Sequence, residues 1–110
     1  MEYIKVASTS ELKDVRKKKV SLGDREILLA NVDGEYYAVD NRCTHMGGSL
    51  CDGELEGSSI VCPRHGTRFD VRTGKVAEKG KILFIKVKAE DIRTYPVKVE
   101  GTDIFVGVEK

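Results

Sequence analysis

Four side chains stand out for the chemistry they could share: Cys43, His45, Cys62 and His65. They come as Cys43-x-His45 and, after sixteen intervening residues, Cys62-x-x-His65. The chain contains only two histidines and three cysteines. Both imidazoles and two of the thiols therefore fall in two short loops, Arg42-Cys43-Thr44-His45-Met46-Gly47-Gly48 and Val61-Cys62-Pro63-Arg64-His65-Gly66-Thr67. Thiolate and imidazole donors suit iron, copper or zinc. Two facing loops with one of each read as a single metal site ligated by Cys43, His45, Cys62 and His65. Gly47, Gly48 and Gly66 let backbone approach such a centre, and Pro63 stiffens the second loop by fixing its own φ. Cys51 lies outside both loops with no histidine beside it, and is expected to be a buried or half-buried structural thiol.

The elements that must carry these loops are strands. Tyr3–Ala7 alternates in polarity, Glu26–Val32 and Glu35–Asp40 flank an Asp33-Gly34 hairpin signal, and the second of these runs directly into the first loop. Asp52-Gly53 and Gly57-Ser58 punctuate short strands between the loops, with Ile60-Val61 entering the second. Beyond it, Thr67–Asp70 is strand-like and Arg72–Lys75 reads as a turn. The C-terminal third offers Lys81–Lys88, Tyr95–Glu100 and Asp103–Val108, the last two joined by a hairpin. Ser10 is placed to cap a single helical turn, and nothing sustains a helix after it. Arg16–Lys19 reads as a solvated loop or charged strand edge. The expected fold is all-β, small antiparallel sheets in a sandwich or barrel with both ligand loops at one end.

Composition bounds the role. The 110 residues suffice for one domain, 1–110, with a single modest core. A net charge of +1 gives no electrostatic case for nucleic acid or a membrane surface as partner. No secretory signal is visible at the start, and no run approaches the roughly 18 apolar residues of a membrane span. The expected location is the cytoplasm, where thiols stay reduced and an odd set of cysteines points to metal before disulfides.

The two loops resemble the cluster-binding boxes of Rieske iron–sulfur proteins: Cys43-Thr44-His45-Met46-Gly47-Gly48 and Cys62-Pro63-Arg64-His65-Gly66-Thr67. The resemblance implies one [2Fe–2S] cluster, with Cys43 and Cys62 on the inner iron and His45 and His65 on the outer one, near solvent. Phe69-Asp70, the Gly74-Lys75 turn and Tyr95-Pro96-Val97 also fit that family's pattern. Rieske subunits of respiratory complexes carry an extra cysteine in each box, forming a disulfide. Gly48 and Arg64 stand at those positions here, so no such bridge can form. Thr67 and Phe69 replace a serine and a tyrosine that donate to the cluster in those high-potential proteins, and Phe69 has no donor to offer. The potential is therefore expected toward the low end of the roughly −150 to +300 mV Rieske range. The match is to the ferredoxins that feed ring-hydroxylating oxygenases.

That resemblance implies a one-electron carrier between a flavin-dependent reductase and a terminal oxygenase or other redox protein, docking transiently at the His45/His65 end. An enzyme is disfavoured: both histidines are committed to the cluster, leaving none for a second, mononuclear iron, and no G-x-G-x-x-G loop offers a nicotinamide site. Two other readings remain. One is the Rieske-like small subunit of a nitrite reductase. The other is a structural zinc module, although the alternating order Cys, His, Cys, His departs from the usual pairing of zinc ligands. The segment Val76–Arg93 is longer than the connection expected there and reads as an additional hairpin, with a partner or self-association surface as the other reading.

Overall fold

The run Ile27-Leu28-Leu29-Ala30 decides the architecture, because alternate residues of a strand point to opposite faces and all four here are fully buried. Such a strand needs a core on each side. The computed structural model, which describes residues 1–42, 48–63, 66–78 and 91–109, provides both. Leu28 and Ala30 enter one cluster with Val39, Leu50, Ile60, Cys62, Phe69, Val71 and Ile92. Ile27 and Leu29 enter the other with Ala7, Leu12, Val20, Ala38, Tyr95, Ile104 and Val106.

Among the described residues these cores separate three antiparallel sheets. The central one runs β2(Lys17–Leu22), β3(Arg25–Val32), β4(Glu35–Asp40), β9(Thr94–Tyr95). The terminal one runs β1(Glu2–Ser8), β11(Asp103–Val108), β10(Val97–Glu100). The third, which carries the second Cys/His loop, runs β5(Glu54–Glu56), β6(Ser59–Val61), β7(Arg68–Asp70), β8(Val76–Glu78). The all-β expectation is met. No helix among the described residues is long and apolar enough to cross a membrane.

Local chemistry sets the turns. Asp33 and Gly34 take φ of 52° and 87°, the pair of positive values a two-residue hairpin requires, and β3 and β4 pair from Val32↔Glu35 to Ile27↔Asp40. The first helical turn is Thr9–Leu12, with Ser8 rather than Ser10 at its start. The reason lies three residues on: the Ser8 N–H donates to the Glu11 carboxylate at 2.7 Å, an arrangement Ser10 has no partner to make. The basic run does form a charged edge. Lys17–Lys19 open β2 at the rim of the central sheet, and Lys18 pairs with Glu11 at 2.6 Å, which holds the Glu11 carboxyl below its ordinary range.

Tyr95–Glu100 is not one strand. Pro96 interrupts it, leaving Thr94–Tyr95 in the central sheet and Val97–Glu100 in the terminal sheet. Proline has no N–H for a ladder, and only its carbonyl is used, accepting from Gly107 N–H at 2.9 Å. The proposed strand Lys81–Lys88 lies outside the described residues, as does most of Val76–Arg93. Its two ends meet: Val76 N–H donates to Asp91 Oδ1 and Ile92 N–H to the Gly74 carbonyl.

Candidate metal centre

β4 leads into the first Cys/His loop, and the junction is tied at its base. Arg42 and Ser49 form an isolated antiparallel bridge across the loop mouth. Asn41, the residue before it, is 1 % exposed and uses every polar group it has. Its N–H donates to the Glu26 carbonyl at 3.0 Å and its carbonyl accepts from Leu50 N–H at 2.7 Å. Its side chain accepts from Cys51 N–H at 2.8 Å through Oδ1 and donates to Ser49 Oγ at 2.8 Å through Nδ2. The short helical turn Leu50–Asp52 that follows is also held from the central sheet, where Lys17 Nζ donates to the Cys51 carbonyl. Cys51 itself is half-buried against the core, as a structural thiol should be.

The second loop is the tip of the β6–β7 hairpin. Cys62 N–H donates to the Thr67 carbonyl at 2.8 Å and Gly66 N–H donates back to the Cys62 carbonyl at 3.1 Å, closing the loop on itself. Cys62 is 2 % exposed and its side chain is part of the core with Leu50, Ile60, Phe69 and Val71. Thr67 is fully buried beside it, while Pro63 is exposed. Cys43 and His45, in 43–47, and His65, with Arg64, lie outside the described residues, so Cys62 is the proposed ligand whose surroundings are described.

The two loop bases meet at Gly53. Its backbone φ of −86° is open to any residue; what glycine provides is room. A β-carbon there would stand 1.7 Å from the Val61 carbonyl oxygen and 3.3 Å from that of Leu50. The turn that ends the first loop's base is therefore pressed onto the strand that enters the second, one residue before Cys62. An open cleft of about 330 Å³ lies beside this contact, lined by Gly53, Val61, Cys62, Pro63 and Gly66 together with Asp52, Glu54 and Glu56.

On the opposite side of Asn41, Asp40 accepts from Tyr95 Oη at 2.5 Å, and the Tyr95 hydroxyl accepts from Arg25 Nη1 at 3.1 Å. Burial, and then the bond to the Asp40 carboxylate, push the Tyr95 phenol above its ordinary value. This network fixes the end of β4 from which the first loop departs. Sequence reasoning missed both Asn41 and Gly53 as parts of the site. The only signal for either was position: an asparagine two residues before Cys43, and a glycine in an Asp-Gly pair that looked like simple turn punctuation.

The surroundings of Cys62 fit a thiolate ligand of a [2Fe–2S] centre. Its thiol packs in the apolar core at a tight loop base and borders an open cleft, an arrangement that lowers the polarity around a thiolate on its core side. The comparisons agree. The family model for the Rieske [2Fe–2S] domain matches residues 2–96. The ferredoxin component of naphthalene 1,2-dioxygenase/salicylate 5-hydroxylase systems from a Ralstonia species is 43% identical over 90 residues, covering 82% of this chain and 80% of that one. Among solved structures, a ferredoxin from Sphingomonas yanoikuyae B1 superposes with a TM-score of 0.80 at 30% identity, covering 98% of this chain and all of that one. A complex of reduced oxygenase and oxidised ferredoxin in carbazole 1,9a-dioxygenase matches with a TM-score of 0.81 at 29% identity, over 98% of this chain and 94% of that chain. With this fold, these loops and these relatives, the chain belongs to the Rieske [2Fe–2S] domain family.

Proposed function

We propose that this chain is the ferredoxin of a ring-hydroxylating oxygenase system, a single domain that carries one electron at a time from a flavin-dependent reductase to a terminal oxygenase. In this reading Cys43 and Cys62 hold one iron and His45 and His65 the other. The cluster supplies a reversible one-electron store. The protein's part is to hold it rigidly near one end of the molecule and keep water from the cysteine side. The central sheet and its two cores provide the rigidity, and the apolar neighbours of Cys62 provide the exclusion. Partners dock briefly at the His45/His65 end, where a small interface suits rapid exchange. The chain works in the cytoplasm, without nucleic acid or membrane as partner.

The observation that carries this reading is the Gly53–Val61 contact, which joins the bases of the two loops. It supports one shared centre rather than two separate loops. Relatives named as ferredoxin components of dioxygenase systems support the choice of partners.

Visible absorption and low-temperature EPR of protein produced with iron available test the proposal. A red-brown oxidised form and a rhombic signal on reduction are expected, followed by reoxidation when a terminal oxygenase is added. A colourless, EPR-silent protein holding one zinc would overturn it.

A further inference from the structure

We infer that Asn41 is a positioning residue for the first ligand loop: its carboxamide fastens the mouth of the loop and so governs how firmly the loop's ligands are held. The inference rests on the cluster reading above and deepens it, because nothing in the Cys/His pattern gives Asn41 a role.

The geometry is unambiguous about which amide atom does what. Cys51 N–H can only donate, so the oxygen faces it, and the amide nitrogen is left for Ser49 Oγ. Both side-chain bonds go to the chain leaving the loop, and the backbone carbonyl adds a third to Leu50 N–H. The backbone N–H, by contrast, is spent on Glu26 in the neighbouring strand. Asn41 thus bolts the exit of the loop to the central sheet at three consecutive residues, 49, 50 and 51. A loop closed at its base has fewer open conformations in which a ligand can swing away from the metal, the condition for a firmly held site.

Alternatives at this position do less. Alanine would leave Cys51 N–H and Ser49 Oγ without their partner in a region closed to solvent on the Asn41 side. Aspartate keeps both contacts, since its oxygens can accept from Cys51 N–H and from the Ser49 hydroxyl once that group turns to donate.

The test compares cluster-loaded wild type with Asn41→Ala, Asn41→Asp, Ser49→Ala and Val106→Ala. Val106 is fully buried in the other core and serves as a control for lost stability alone. Two readouts are taken well below every melting temperature: the rate at which visible absorbance disappears in excess chelator, and the EPR line shape of the reduced form. Asn41→Ala loses both side-chain hydrogen bonds, each worth up to about tenfold, and is expected to lose its cluster at least about tenfold faster than wild type and to show broadened EPR features. Ser49→Ala should fall between the two, and Asn41→Asp should return to within about threefold of wild type because its hydrogen bonds survive. Val106→Ala should melt earlier yet release at the wild-type rate. Should Asn41→Ala fail to fold, Ser49→Ala and Asn41→Asp carry the comparison. Wild-type release and line shape in Asn41→Ala, or in Ser49→Ala where that variant stands in, would overturn the inference. So would release from Val106→Ala as fast as from the loop variants. A wild type that takes up no iron would overturn the cluster reading and this inference together, whereas unaffected variants of a loaded wild type would overturn this inference alone.

Discussion

Gly53 lies so close to Val61 that a β-carbon on it would stand 1.7 Å from the Val61 carbonyl oxygen. The obstacle is backbone, which cannot rotate away as a side chain could. Gly53→Ala must therefore push the Leu50–Asp52 turn off the strand that leads to Cys62. A stability loss of at least about 2 kcal/mol is expected, at the upper side of overpacking costs, together with lower iron content per chain. Thermal melts and iron assay on the purified variant check both. An alanine variant with wild-type melting and full iron loading would show that the two loop bases do not need this contact.

Lys17 and Lys19 belong to the same basic run but should behave differently. Lys17 Nζ donates to the Cys51 carbonyl, whereas Lys19 makes a loose, exposed pair with Glu26 at 3.8 Å. Lys17→Met keeps the aliphatic stem and loses the bond, and is expected to cost about 1 kcal/mol in urea unfolding. Lys19→Met should change stability by less than about 0.5 kcal/mol. Equal effects would mean that the run acts through net charge alone.

Tyr95 gives the fold an alkaline limit. Its phenol is held above the ordinary value, first by burial and then by donating to Asp40. A group whose pKa is raised on folding contributes stability that is complete below its unfolded pKa, about 10 for tyrosine. That contribution disappears as pH climbs through the folded value. Melting temperature should thus fall steeply on the alkaline side of about pH 10. Tyr95→Phe should flatten that fall while lowering stability at neutral pH by about 1 kcal/mol. Melting curves for wild type and Tyr95→Phe that run parallel throughout the alkaline range would remove this role from Tyr95.

Phe69 bears on the redox potential. It is fully buried in the core that also contains Cys62, on the strand that leaves the second loop, and it has no group to donate to a cluster sulfur. Fewer donors leave the reduced, more negative centre less stabilised. Redox titration of the loaded protein is expected to give a midpoint in the lower part of the roughly −150 to +300 mV Rieske range. A midpoint near its upper end would require a donor from elsewhere.

What the sequence made legible was local or periodic. Glu35–Asp40 and Asp103–Val108 are strands with the bounds expected, because alternation and a turn signal specify each of them within a few residues. The family was legible in the Cys/His loops because so few histidines and cysteines are spent anywhere else. The break at Pro96 was not read, since strand-like residues flank it on both sides and only the handover between two sheets shows why it stops there. Asn41 and Gly53 were invisible for a related reason. Their importance lies in contacts with residues 8 to 15 positions away or across a sheet, and neither amide orientation nor a close backbone approach leaves a trace in residue type alone.

The pairing of β1 with β11 sets an order of events when the chain is made. Glu2 lies opposite Val108, so β1 is made long before the strand it pairs with. The core around Cys62 draws on nothing earlier than Leu28 or later than Ile92 among its buried members. The layer around Cys62 can therefore assemble while β1 is still unpaired, and joining β1 to β11 is the slow step that long sequence separation imposes. Until then the exposed face of β3, with Ile27 and Leu29 uncovered, is the surface a chaperone would have to guard.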